Sequence, residues 1–156
     1  MTFYTGPDLS DGVVSLRAPG PADLRQAEPA EDVEPAFRHW IAAARSEADV
    51  HYFGVYIGNR LAGQILLHDF DPASREALIA YHLFDPAFRG QGYGSRALAL
   101  LISYLHSIEL LRVFIITSRD NIASQRIAEK SGFTYAGPSR EDPVNGMVFV
   151  LNLAPE

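Results

Sequence analysis

Arg89-Gly90-Gln91-Gly92-Tyr93-Gly94-Ser95 decides how this chain is read, because the periodicity of the sequence changes across it. Upstream, Glu76 to Phe84 reads as a strand ended by Asp85-Pro86. Downstream, Gly92 to Ile108 places Ala97, Leu98, Leu101, Tyr104, Leu105 and Ile108 on one helical face. A glycine-rich turn that enters a helix leaves backbone N–H groups pointing outward at the positive end of the dipole, a ready site for phosphate or pyrophosphate. Side chains at these positions would block the ligand, and Arg89 adds a fixed positive charge. Two phosphate loops fail here. A P-loop needs Gly-Lys before Ser/Thr, whereas Gly94 is followed by Ser95-Arg96. The dinucleotide fingerprint G-x-G-x-x-G is poorly met by the G-x-G-x-G spacing of Gly90, Gly92 and Gly94, which also follow an antiparallel meander.

That meander is read from short β-rich runs. Val13 to Arg17 is a first strand, stopped by Pro19-Gly20-Pro21. Ala22 to Ala27 is a candidate short helix. A longer one starts near Pro35 and carries Phe37, Trp40, Ile41 and Ala44 on one face. His51 to Ile57 and Leu61 to His68 form a hairpin around Gly58-Asn59-Arg60, and Asp69 to Arg75 is a loop. Beyond the glycine-rich helix, Arg112 to Thr117 is a continuous apolar run of the kind found in strands covered on both faces. Strand, helix, strand predicts a parallel pair. Asn121 to Ser131 is helical with Gly132 at C′, and Phe133 to Ala136 and Met147 to Leu153 are closing strands.

Composition bounds the function. The 156 residues fit one domain over 1–156, and 47% hydrophobic with 21% charged residues places the chain among ordinary globular proteins. Cysteine is absent, which removes disulfides, thiolate nucleophiles and Cys-based metal sites. His39, His51, His68, His82 and His106 show no metal-ligand spacing, so no metal is expected. A net charge of −6, with Glu28, Glu31, Asp32 and Glu34 clustered, disfavours nucleic acid and favours a cationic partner. No signal peptide and no membrane span are read, so the expected location is cytoplasmic. No G-x-S-x-G elbow is present, which excludes a serine hydrolase on motif grounds.

A third phosphate-loop pattern, Q/R-x-x-G-x-G/A between strand and helix, is met by Arg89, Gly92 and Gly94. It is the acyl-CoA loop of the GNAT N-acyltransferases, which the chain resembles over nearly its whole length. The RimJ/RimL-type ribosomal-protein N-terminal acetyltransferase branch is the most similar. Ser15-Leu16-Arg17 with Asp23, Ala80-Tyr81-His82-Leu83, and Asn121-x-x-Ser124 with Glu129-Lys130-Ser131-Gly132-Phe133 carry the likeness. The resemblance implies an α/β (α+β) GNAT fold: a mixed, mostly antiparallel seven-stranded sheet with about four helices, its fourth and fifth strands splayed into a slot for pantetheine. It implies acetyl-CoA as co-substrate, an amine as acceptor, and a homodimer as an allowed assembly.

The site residues implied for the cofactor are Leu83 and Phe84, by backbone pairing with pantetheine, and Arg89, Gly90, Gln91, Gly92, Tyr93, Gly94 and Ser95 around the pyrophosphate. Asn121 and Ser124 present one helical face toward the slot, although short polar residues also cap helices and bond backbone carbonyls. Many GNAT enzymes set a tyrosine on this helix to protonate the leaving thiolate; the matching position is Ala128, so Ser124 is the candidate replacement. Glu76 is the candidate base through water, against the alternative of a solvated strand-start charge. His82, beside Tyr81, is another candidate proton acceptor, with a packed or surface histidine the competing reading. A neutral amine attacks the thioester directly, and an α-amine of pKa near 7.7–8.0 needs less help than a lysine near 10.4. The alternative function is a catalytically silent acyl-CoA-binding regulatory module.

Overall fold

The computed structural model describes residues 8–19, 23, 51–83 and 86–153. Among these described residues eight strands form one sheet: β1 (Leu9–Ser10), β2 (Val14–Arg17), β3 (His51–Ile57), β4 (Arg60–Asp71), β5 (Glu76–Leu83), β6 (Arg112–Ser118), β7 (Thr134–Pro138) and β8 (Gly146–Asn152). Their order is β1-β2-β3-β4-β5-β6-β8-β7, and every pairing is antiparallel except β5 with β6. A parallel pair needs a crossover, and α1 (Tyr93–Leu105) supplies it. Helix α2 (Ile122–Lys130) follows β6.

The sheet therefore has one strand more than the expected seven, because the two-residue β1 pairs with β2 through Leu9↔Leu16 and Ser10↔Ser15. Among the described residues the helices number two rather than about four; the pair read at 22–27 and 35–44 lies outside them. β4 runs through Asp71, into the stretch read as a loop, with a bulge after His68 and Asp69 at φ 51°.

Alternation sorts the side chains. Val14, Leu16, Phe53, Ile65, Ile79 and Ile115 point to one face, where they pack with Leu98, Leu101 and Leu105 of α1. Burying each leucine contributes roughly 1.5–3 kcal/mol. The other face also buries large groups at β3 and β4, among them Tyr52 and Tyr56. The Tyr56 hydroxyl donates to Asp23 at 2.7 Å while the Arg17 guanidinium lies 3.8 Å from the ring centroid, joining two of the residues that carry the family likeness. The expected two-sided cover of Arg112 to Thr117 does not hold. Val113 and Ile115 are buried, but Ile116 is 49% exposed, because that face of β6 borders an open cavity.

Candidate active site

The parallel ladder between β5 and β6 is short. It joins Glu76 to Arg112, Ala77 to Val113 and Leu78 to Phe114, and then stops. β5 continues to Leu83 on β4, while β6 continues to Ser118 on β8. The two strands thus part beyond Leu78, and residues 79–83 of β5 border the slot left between them. Edge backbone in such a slot offers N–H and C=O groups to an extended ligand.

The slot's open end meets the glycine-rich loop. Gly90 (φ 74°) and Gly92 (φ 82°) are left-handed, and an added Cβ at either position would meet no atom of the described residues within 4 Å beyond its own chain neighbours. The space beside them is therefore open to a ligand. Gly92 is the N-cap of α1 and provides no side-chain cap. The first intrahelical bond shown there is Arg96 N–H to the Gly92 carbonyl at 3.2 Å, so the N–H groups of Tyr93, Gly94 and Ser95 precede the helical ladder. Gly94 has a second duty, since a Cβ there would sit 3.0 Å from Ile127 Cδ1 of α2. Arg89 Nε donates to the Leu83 carbonyl at 2.9 Å, tying the loop to the end of β5, and Gln91 Nε2 donates to the Ala87 carbonyl at 2.6 Å within the loop. Leu83 itself is half-buried against the core; Phe84 lies outside the described residues.

Helix α2 forms the opposite wall. Asn121 Oδ1 accepts the Ser124 N–H at 3.1 Å, so Asn121 acts as the N-cap. Ser124 Oγ lies 3.0 Å from the Tyr81 hydroxyl, which is also 3.1 Å from the Ser124 carbonyl. This contact crosses from β5 to α2. Burial pushes the Tyr81 phenol above its ordinary pKa, with the Ser124 hydrogen bond acting the other way. Ala128 is fully buried in the core and carries no hydroxyl to the slot.

On the other sheet face, Leu78, Phe114, Ile116 and Val148 line a cavity of about 460 Å³ at the point where β5 and β6 part. Asp69, Asp71, Glu76 and Glu141 also border it, with Arg140. Glu76 is ion-paired to Arg112 at 2.9 Å, at the closed end of the slot. Five residues of strand separate it from Tyr81, roughly 16 Å at 3.3 Å per residue. The structure thus brings Ser124 and Asn121 together with Tyr81 and does not bring Glu76 to them. His82 alternates with Tyr81 and faces away from Ser124.

Two positions escaped sequence reasoning. Tyr81 carries no local signal beyond the family likeness, since its partner is 43 residues away. Gly63 was passed over although glycine inside a strand signals close backbone approach. It stands opposite Leu83, and an added Cβ would run into the His82 carbonyl and lie 2.9 Å from Leu83 Cα.

Comparison with known proteins agrees with this architecture. Residues 12–134 match the acetyltransferase (GNAT) domain family. The ribosomal-protein-serine acetyltransferase of Escherichia coli (strain K12) is 35% identical over 86 residues, covering 54% of this chain and 48% of that protein. YjcK of Bacillus subtilis (strain 168), named a probable N-acetyltransferase, is 29% identical over 108 residues, covering 66% of this chain and 60% of that protein. The chain thus spans about half to three-fifths of the length of these relatives. Among solved structures, RimL, a ribosomal L7/L12 alpha-N-protein acetyltransferase, in complex with coenzyme A superposes with a TM-score of 0.72 at 19% identity, covering 94% of this chain and 98% of that one. At that identity the likeness shows the fold.

Proposed function

The chain belongs to the GNAT acetyltransferase family, and from that premise we propose that it transfers the acetyl group of acetyl-CoA directly to a primary amine, either a protein N-terminus or a small molecule. One observation carries the reading: the β5–β6 ladder ends at Leu78, and the slot it opens leads to an uncapped helix start flanked by two left-handed glycines. RimL binds coenzyme A with this fold. Here the N–H groups from Gln91 to Ser95, with Arg89, Gly90 and Gly92, would hold the pyrophosphate, and backbone of Leu83 and Phe84 would pair with pantetheine. Arg89 would exchange its bond to the Leu83 carbonyl for a phosphate.

The acceptor enters through the cavity on the opposite face, whose four carboxylates suit a cationic approach. Glu76, ion-paired to Arg112, acts there as fixed negative charge rather than as a base through water. The neutral amine attacks the thioester carbon, backbone N–H near Leu83 meets the oxyanion, and Ser124, positioned by the Asn121 cap, donates to the departing sulfur. A single domain over 1–156 and a cytoplasmic location go with this reading; no helix among the described residues is long and apolar enough to cross a membrane.

The test is release of free CoA across an amine panel, run beside calorimetric titration with acetyl-CoA. Acetyl-CoA binding with amine-dependent CoA release supports the reading. A second reading, a silent acyl-CoA-binding module, draws on the absence of a tyrosine at Ala128. Tight binding with no release from any amine would favour it.

A further inference from the structure

We infer that Tyr81 is a positioning residue that turns Ser124 into a hydrogen-bond donor for the departing sulfur, an inference that rests on the acetyl-transfer reading above. Proton counting on the observed contacts leads there. The Tyr81 hydroxyl has one proton and two acceptors within reach, the Ser124 carbonyl at 3.1 Å and Ser124 Oγ at 3.0 Å. When Tyr81 donates to the carbonyl, its own oxygen can accept the Ser124 proton, and Ser124 points away from the slot. When Tyr81 donates to Oγ, the Ser124 proton is released toward the slot. Rotation of one phenolic O–H switches between the two states without moving a heavy atom.

The chemistry uses the second state. The amine nitrogen forms its bond to the acetyl carbon, the C–S bond breaks, and the electron pair goes to sulfur. Ser124 Oγ–H donates to that sulfur while Tyr81 donates to Oγ, strengthening Ser124 as a donor. The proton that finally neutralises the thiolate is the one lost by the amine, so neither hydroxyl changes its charge and CoA leaves as the thiol. The hydroxyl missing from Ala128 is thereby replaced by that of Ser124 on the same helix, polarised from the facing strand β5.

The experiment is a cycle of Tyr81→Phe, Ser124→Ala and the double variant, each assayed with acetyl-CoA and the amine that gives the fastest wild-type CoA release. Tyr81→Phe keeps the ring in place and removes only the hydroxyl. The expected result is a roughly fivefold or greater fall in kcat, with KM for acetyl-CoA within about twofold, and less than about twofold further loss when the change is made on Ser124→Ala. Wild-type kcat in Tyr81→Phe, or the same fold-loss in both backgrounds, overturns the inference and leaves acetyl transfer standing. A wild-type protein that binds acetyl-CoA and releases CoA to no amine overturns the transfer reading and the inference with it. If Tyr81→Phe loses its cooperative melt, 3-fluorotyrosine placed at position 81 takes its role. This isostere is a stronger donor and should change kcat only where Ser124 is present; a change that persists on Ser124→Ala counts against the inference.

Discussion

Helix α1 starts on Gly92 and helix α2 on Asn121, and the two starts are finished differently. Asn121 closes α2 from within by accepting the Ser124 N–H. Gly92 is left-handed, has no side chain, and leaves the first N–H groups of α1 outside the helical ladder. A helix gains about 1 kcal/mol from a side-chain cap. The start that lacks one retains a partly positive, donor-rich end that an anion can fill. The contrast teaches that one helix terminus is closed from within and the other left open, and on the proposed reading the open one receives the ligand.

The largest effect is expected where the open start is blocked. Gly92→Val should weaken acetyl-CoA binding well over tenfold, more than about 1.4 kcal/mol, as measured by calorimetry. A β-branched residue at positive φ is also strained, so Gly92→Asn is the sharper variant, since asparagine tolerates this conformation. The melting temperature should stay near wild type while affinity falls. Unchanged affinity in folded Gly92→Asn would break the contrast.

Next comes chemistry at the closed start. Ser124→Ala should lose at least about tenfold in kcat with acetyl-CoA affinity nearly intact, because the hydroxyl matters only as charge grows on sulfur. Equal kcat, measured where chemistry limits turnover, would reduce Ser124 to a helix residue. Asn121→Ala should then remove about 1 kcal/mol of stability, a few degrees in Tm by thermal melt, and leave acetyl-CoA binding close to unchanged. A large loss of affinity without a change in Tm would reverse the assignment of the two helix starts.

The smallest change separates the acceptors. For an α-amine of pKa near 8, moving from pH 8.5 to 9.5 should raise the rate less than about twofold, since the neutral amine already dominates. A lysine acceptor should gain nearly tenfold, about a decade, over the same interval because its neutral fraction is still growing. Desolvation raises the pKa of the half-buried Tyr81 phenol, which favours its protonated form in this window.

What was legible in the sequence followed from local physics. The glycine spacing of Gly90 to Gly94, the face carried by Leu98, Leu101 and Leu105, and the Asn121 start each depend on neighbours within a turn or two, and the structure forms all three. The parallel pair was legible from strand-helix-strand order. Less local features were not. The two-residue β1 has too little pattern to register, and the exposure of Ile116 depends on where β5 leaves β6 rather than on the apolar run itself. Glu76, read as a candidate base through water or a solvated strand-start charge, pairs with Arg112, a partner 36 residues away that local pattern does not announce. The Tyr81–Ser124 contact joins residues whose approach only the folded sheet determines.

Gly63 constrains how this site can be altered. Behind the last residue of β5 stands a neighbour with no side chain, and backbone lies against backbone there. A wall of that kind has no methyl group to trim and cannot retreat to admit a bulkier acyl donor. On the proposed reading, a variant selected for longer acyl chains would gain its room on the α2 side, at a position such as Ser124, while substitutions at Gly63 would push the end of β5 out of place.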